Sequence, residues 1–310
     1  MPPHDEPVIK QPQPRTAPEN PLPAKPTTPQ DSCITPNEDQ SKIKISPRDI
    51  IVAYSSERQR VTLEAKAETR MAAGINPDLK GAKLDFFSGT RYLGSNITNE
   101  NGIASLSIEI PAKPGMIYCY QVSHKDLHKM SGRVYFFAPT MPVFISDVDE
   151  VISDLPEFKV PITPIVNSPA MPNSADVLSS LSQRYAIIYL TARDDALLNK
   201  TRSWLRYRNF PSGPLIAWNW ASHNKFGSST KAQGIFKQNY LKSLKKSLPN
   251  LVAGIGNRIH DALAYKDAGI KPIIINPQTQ KSSFPPETVF VRSWDEVPEL
   301  LPHSIQSKNR

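Results

Sequence analysis

Only two cysteines, Cys33 and Cys119, occur in 310 residues. Two thiols so far apart make no disulfide framework and have no metal-ligand spacing. The count fits a reducing compartment. No run of about 18 apolar residues exists, so no transmembrane helix is expected. The opening "MPPHDEPVIK" lacks the apolar core of a signal peptide. Together these absences suggest a cytoplasmic protein, peripheral to a membrane if it meets one at all.

Apolar residues are also scarce, at 39%, below a typical globular mix. The deficit is local. Twelve of the 31 prolines lie in residues 1–47, in stretches such as "QPQPRTAPENPLPAKPTTPQ". That segment is poor in aromatic and β-branched residues and cannot bury enough surface to offset its ordering entropy. It reads as a disordered, Pro-rich tail, with docking to a partner domain as an alternative. The net charge of +8 favours acidic or phosphate-bearing partners without choosing among them. A solvated basic helix face would explain it equally well.

Residues 48–139 read as seven short strands, among them "QRVTLEAKAE", "IASLSIEI" and "GRVYFFA", separated by turns such as "NPDLKG" and "NENG". That rhythm predicts an antiparallel β-sandwich. The piece around "TNENGIA" resembles immunoglobulin-like modules. No catalytic constellation stands out there.

After "APTMP" the pattern changes. Apolar runs ("PVFIS", "AIIYL", "GPLIAW", "NLVAGIG", "KPIII", "TVFV") alternate with helical periodicity. Such alternation predicts an α/β unit with a parallel sheet covered on both faces over residues 140–302, leaving a short tail at 303–310. In such sheets chemistry sits beyond the carboxyl ends of the strands.

Each conspicuous polar cluster falls at a strand's carboxyl end. Asp147 and Asp149 follow "PVFIS". Thr191, Ala192 and Arg193 follow "AIIYL". Asn257, Arg258 and Asp261 follow "LVAGIG", and a helix carrying Lys231 and Lys237 precedes that strand. In a strand, residues i and i+2 face the same side, so both aspartates could address one substrate. An aspartate at its ordinary pKa of about 3.9 is an ionised nucleophile at neutral pH. A second carboxylate nearby could exchange a proton with a leaving group. Like charges so close call for a cation, and Mg²⁺ suits oxygen donors.

The set resembles the haloacid-dehalogenase-like phosphohydrolases, in which D-x-D-x-[T/V] is matched by Asp147 to Val151. It is nearest the lipin-type phosphatidate phosphatases, through "FISDxD", "TAR", "FK" at 236–237 and "GNRxxDxxAY" at 256–265. The resemblance covers about residues 141–301. It implies Asp147 as nucleophile, Asp149 as acid/base, and Thr191, Ala192, Arg193 and Lys237 around the phosphate. It also implies Mg²⁺ held by Asp147, Asp149, Asn257 and Asp261. Lys237 is preferred to Lys231. Arg193 either positions phosphate or pairs with Asp194 or Asp195. His260 reads as a loop residue. Glu150 departs from the family, which carries glycine after the second aspartate.

About 40 residues separate Asp149 from Thr191 and about 45 separate Thr191 from Lys237. Neither interval holds a large cap domain. An open site suits a bulky substrate, and the resemblance implies phosphatidate at a membrane surface, hydrolysed to diacylglycerol and phosphate. The alternatives are a non-catalytic phosphatidate-binding module, a phosphatase for proteins or soluble esters, and an interaction protein whose sandwich is the active part. No nucleic-acid partner is expected.

Overall fold

Strand alternation builds the first unit. The computed structural model describes residues 33, 42–70, 76–125, 128–219, 230–277 and 279–302. Most of the predicted tail and the C-terminal tail lie outside these residues. Eight strands come first: β1 (Ile43–Pro47), β2 (Ile50–Ala53), β3 (Arg58–Thr69), β4 (Lys83–Ser88), β5 (Arg91–Ile97), β6 (Ile103–Pro111), β7 (Ile117–Ser123) and β8 (Met130–Phe137). In β3, Val61, Leu63, Ala65 and Ala67 are buried at every second position, which is the pattern of a strand with one face on a core. The strands form two sheets, ordered β1-β3-β6 and β2-β8-β7-β4-β5. Both contribute to one core, with Leu63 and Ala104 from the first and Phe86, Tyr120 and Phe136 from the second. All pairings are antiparallel except β2 with β8.

Two expectations are corrected here. Residues 43–47, assigned to the tail, are β1 and pair with β3 from Ile43↔Thr69 to Pro47↔Ala65. The cysteines are joined: Cys33 and Cys119 form a disulfide with Cα atoms 5.5 Å apart across a separation of 86 residues. Cys119 lies opposite Arg133 on β8, and the Arg133 guanidinium donates to the Cys33 carbonyl at 3.0 Å. Cysteine usage therefore no longer supports a reducing compartment.

The second unit is a six-stranded, wholly parallel sheet, ordered β11-β10-β9-β12-β13-β14. Its strands are β9 (Val143–Ser146), β10 (Ala186–Asp194), β11 (Leu215–Trp218), β12 (Leu251–Gly256), β13 (Lys271–Ile275) and β14 (Val289–Val291). The helices are α1 (Ser174–Leu181), α2 (Leu198–Tyr207), α3 (Thr230–Ser247) and α4 (Ile259–Asp267). Phe144, Tyr189 and Ile255 pack with α1 and α2 on one face. Val143, Ile145 and Ile188 pack with α3 and α4 on the other. Covering on both faces explains the unbroken apolar strands. No helix among the described residues is long and apolar enough to cross a membrane.

The two units share a buried polar seam. Lys66 of β3 reaches Asp195 at 2.7 Å, Asp78 at 2.9 Å and Glu68 at 3.1 Å. Arg48 also binds Asp195, at 2.7 Å. Asp49 accepts from the Leu215 amide at 2.9 Å and pairs with Arg202 at 3.1 Å. Lys44 donates to the Ala196 carbonyl, and Asn199 donates to the Ile45 carbonyl at 2.9 Å. Unpaired, these buried charges would cost several kcal/mol each, so the contacts bind the two-sheet unit to the turn after β10, to α2 and to the start of β11.

Candidate active site

β10, β9 and β12 lie side by side; β9 and β12 end almost level, and β10 runs on past them to Asp194. Asp147 follows β9 and is fixed by its amide donating to the Ile255 carbonyl of β12 at 3.0 Å. Its Oδ1 accepts from the Val148 amide at 2.8 Å. Its Oδ2 lies 2.9 Å from Lys237 Nζ. Lys237 also lies 2.6 Å from Asp261 Oδ1, and Asp261 Oδ2 accepts from the amides of Asn257 and Arg258 at 3.2 and 3.0 Å. Lys237 thus bridges two buried carboxylates, one following β9 and one in the first turn of α4.

Two glycines permit this bridge. A Cβ on Gly234 would meet His260 Cβ at 2.8 Å, so glycine lets α3 close on α4 one turn before Lys237. A Cβ on Gly256 would meet Asp261 Cβ at 2.5 Å, so glycine admits the Asp261 side chain against the end of β12. Lys231, the competing lysine, is exposed on α3.

Burial pushes the Asp147 carboxyl up to about 7; Lys237 pulls it down, and the charges of Asp261 and Asp149 add to the rise. Burial also acts on Asp261, but Lys237, His260 and its hydrogen bonds outweigh it and hold that carboxyl below the ordinary range. Lys237 stays fully protonated: burial disfavours the charge, and the two carboxylates more than compensate. Burial lowers His260 to about 4, so it is neutral at physiological pH. It sits in the first turn of α4, not in a loop.

Asp149 has separate partners. Thr191 Oγ1 donates to its Oδ2 at 3.1 Å. Arg193 Nε lies 2.8 Å from Oδ1 and 3.0 Å from Oδ2, and its second nitrogen lies 2.8 Å from Oδ1. Arg193 is buried, and its remaining arm donates to Thr201 at 3.1 Å. Ala192 is buried between Thr191 and Arg193. The expected pairing of Arg193 with a neighbouring aspartate is replaced by the fork on Asp149. The sequence held a clue. Successive side chains along a strand point to opposite faces, which argues against Asp194 as a partner. The aspartates themselves lie beyond β9, so turn geometry, not strand alternation, sets their directions.

The expected metal set divides. Asp147 and Asp261 share Lys237, while Asp149 turns its carboxylate to Arg193. Asn257 is different: its Oδ1 is buried without a hydrogen-bond partner, while its Nδ2 donates to Glu150 at 3.2 Å. An orphaned hard oxygen on the residue whose amide binds Asp261 fits a Mg²⁺ ligand. Glu150 takes a left-handed backbone, φ +57°, the conformation that favours glycine, and its carboxylate lies 3.5 Å from Arg258. A group of three carboxylates close enough to share a cation lies elsewhere, at Glu68, Asp194 and Asp195. There the Lys66 ammonium already supplies the cation.

Trp218 is core, stacked on Phe236 with ring centroids 5.8 Å apart.

The LNS2 family (Lipin/Ned1/Smp2) matches residues 98–297. The match therefore begins inside the two-sheet unit, upstream of where the motif resemblance starts. "Phosphatidic acid phosphohydrolase 1" of Saccharomyces cerevisiae is 28% identical over 168 residues, which is 46% of this chain and 19% of that protein. The chain thus spans about a fifth of that relative's length. Among solved structures, a haloacid-dehalogenase-like hydrolase from Streptococcus pneumoniae aligns with 52% of this chain and 99% of its own, at 14% identity and TM-score 0.35. A HAD-superfamily hydrolase of subfamily IA from Geobacter sulfurreducens aligns with 53% and 97%, at 12% identity and TM-score 0.36.

Proposed function

The chain belongs to the LNS2 (Lipin/Ned1/Smp2) family, and on that premise we propose that it is a Mg²⁺-dependent phosphatidate phosphatase. The observation that carries the proposal is the buried Asp147–Lys237–Asp261 bridge, with Asp149 and Thr191 alongside. A carboxylate in a dry site, with an ammonium fixed against it, is an arrangement for taking and releasing a phosphoryl group.

Asp147 Oδ attacks phosphorus, and the bond from phosphorus to the glycerol oxygen breaks. Asp149 delivers a proton to that oxygen, releasing diacylglycerol. Water then attacks the aspartyl-phosphate, Asp149 takes its proton, and phosphate leaves. For both transfers Asp149 must leave the Arg193 fork; it takes the proton it delivers from solvent on leaving and returns the one taken from water to solvent on coming back, so Arg193 holds it between turnovers. Lys237 stays against the nucleophile and the transferring group. Thr191 Oγ1, freed when Asp149 moves, donates to a phosphoryl oxygen. Asp261 aims Lys237 and caps α4. The Asp147 carboxylate, the Asp149 carbonyl and Asn257 Oδ1 would hold Mg²⁺, which when bound neutralises charge on the phosphoryl oxygens.

We read the two-sheet unit as an immunoglobulin-like module preceding a phosphatase domain over 140–302. The test of function is phosphate release from phosphatidate in mixed micelles with Mg²⁺, beside a phosphopeptide and a small phosphate ester. Release from phosphatidate that Asp147→Asn abolishes supports the reading. Release only from the peptide or the small ester moves the substrate to a protein or soluble compound, and phosphatidate binding without release leaves a binding module.

A further inference from the structure

Large apolar side chains stand exposed at eight described positions, and four of them share one segment and the helix it rests against: Phe158 (75%), Ile162 (81%), Val166 (57%) and Tyr207 (51%). The first three lie on the segment 155–168, which joins β9 to α1. Tyr207 closes the end of α2, against which the segment rests.

The segment is held in place, which sets it apart from a loop that happens to carry apolar residues. Prolines 156, 161 and 164 fix its backbone φ. Two short 3₁₀ turns, Glu157–Lys159 and Ile165–Asn167, shape it. From α2, Lys200 donates to the Pro161 carbonyl at 3.0 Å, and Trp204 donates to the Ser168 carbonyl at 2.8 Å. Arg208, just beyond α2, donates to the Val166 carbonyl at 2.9 Å. Val160 is buried beneath the segment, over a small cavity whose lining includes Arg193. The apolar side chains are thus presented outward by a fixed frame whose underside reaches the site.

Charge is sorted in the same way. Within 155–168 the single acid is Glu157. Its Oε1 is buried without a hydrogen-bond partner, and its carboxyl feels the charges of Asp149, Arg258 and Arg193, so it faces the site. The single base, Lys159, is exposed, its Nζ 5.9 Å from the Phe158 ring centroid. Arg206 is exposed on α2. An outward surface of apolar side chains with an exposed cation among them, and the segment's own acid turned inward, complements an anionic lipid surface.

We propose that residues 155–168 are the membrane-docking surface of this protein: Phe158, Ile162 and Val166 enter the acyl boundary of an anionic bilayer while Lys159 and Arg206 meet its headgroups. This rests on the phosphatase reading for its purpose, since docking would bring a lipid headgroup to the rim of the site. Its test does not depend on turnover.

The full chain is mixed with vesicles of phosphatidylcholine and about one-third phosphatidylserine, which carry no phosphate monoester, and is floated on a density gradient. Phe158→Ser/Ile162→Ser is expected to lower the floated fraction by roughly tenfold or more. Lys159→Glu is expected to lower it less, and added salt to mimic that loss. Tyr92→Ser/Ile97→Ser, which removes exposed apolar groups from the sandwich, should leave flotation unchanged. Phosphate release from a water-soluble short-chain phosphatidate should be unchanged in Phe158→Ser/Ile162→Ser, which also shows that this variant folds. The proposal is overturned if wild type does not float, or if the double variant floats as wild type does. It is overturned equally if soluble turnover falls with the double substitution, or if sedimentation shows a dimer that the substitution dissolves, since a second copy would then be the occupant. Phosphate release without flotation sinks the docking surface alone, and flotation without phosphate release sinks the phosphatase reading alone.

Discussion

Replacing Lys237 by methionine keeps the length of the side chain and removes its charge. The ammonium lies 2.9 Å from Asp147 and 2.6 Å from Asp261, and all three side chains are buried. Without it, two carboxylates face each other in a dry site. Breaking a buried ion pair from one side costs about 3–5 kcal/mol. At about 2–4 °C per kcal/mol for a unit of this size, the melting temperature should fall by roughly 6–20 °C. The loss has a definite pH dependence. Asp147 already stands at about 7 with the lysine present, and loses its strongest opposing charge in the variant. The folded variant then binds more protons than the unfolded chain across neutral pH, so its stability falls as pH rises. The deficit should be larger at about pH 8 than at about pH 6. The assay is thermal unfolding by circular dichroism in chelator at both pH values, with phosphate release measured separately in Mg²⁺. Lys237→Met/Asp261→Asn should recover part of the stability and none of the turnover. A melting temperature lowered by less than about 3 °C, or a deficit independent of pH, would refute the account of the bridge.

Three further outcomes are expected. Glu150→Gly removes a left-handed backbone strain of about 1–2 kcal/mol and loses the Asn257 hydrogen bond of similar size, so stability should change by less than about 1 kcal/mol. Phosphate release should rise as a negative charge leaves the nucleophile's surroundings; a drop would show that Asn257 needs Glu150 to hold it. Lys66→Met should cost about 3–5 kcal/mol in denaturant unfolding, and a variant as stable as wild type would mean that the seam acids are neutral. His260 is neutral when folded, with its pKa lowered from 6.5 to about 4, so the unfolded chain binds the extra proton between these values and stability declines as pH falls through that window. His260→Gln should flatten that acid limb, and an unchanged slope would remove His260 from it.

Much of the parallel unit is legible because its signals are local. Apolar runs mark β9, β10 and β12, and polar residues mark where each ends. Glu150 is legible in the same way, since a residue replacing glycine after Asp149 flags a backbone that glycine favours. What is not legible depends on pairings between distant positions. Nothing near Arg193 names Asp149, 44 residues earlier. Nothing in β3 says that Lys66 will meet Asp195, 129 residues later. β1 is five residues, "IKISP", next to a proline-rich stretch, and only its ladder with β3 makes it a strand. The disulfide is hidden for the same reason, as one of its partners lies in a segment that reads as tail.

The seam also decides where the chain can be divided. A scan for compositional breaks would cut near residue 139 and carry the downstream half forward as a self-sufficient catalytic fragment. Such a fragment would keep Asp195 and Arg202 and lose Lys66, Arg48 and Asp49, which answer them. It would also bare Ile216 and Tyr240, which share a cluster with Ile51, Ala53 and Phe137 of the sandwich. In physical terms the two-sheet unit is a wall of the parallel-sheet unit. Recombination or truncation that keeps the fold should break the chain before Cys33, not between β8 and β9.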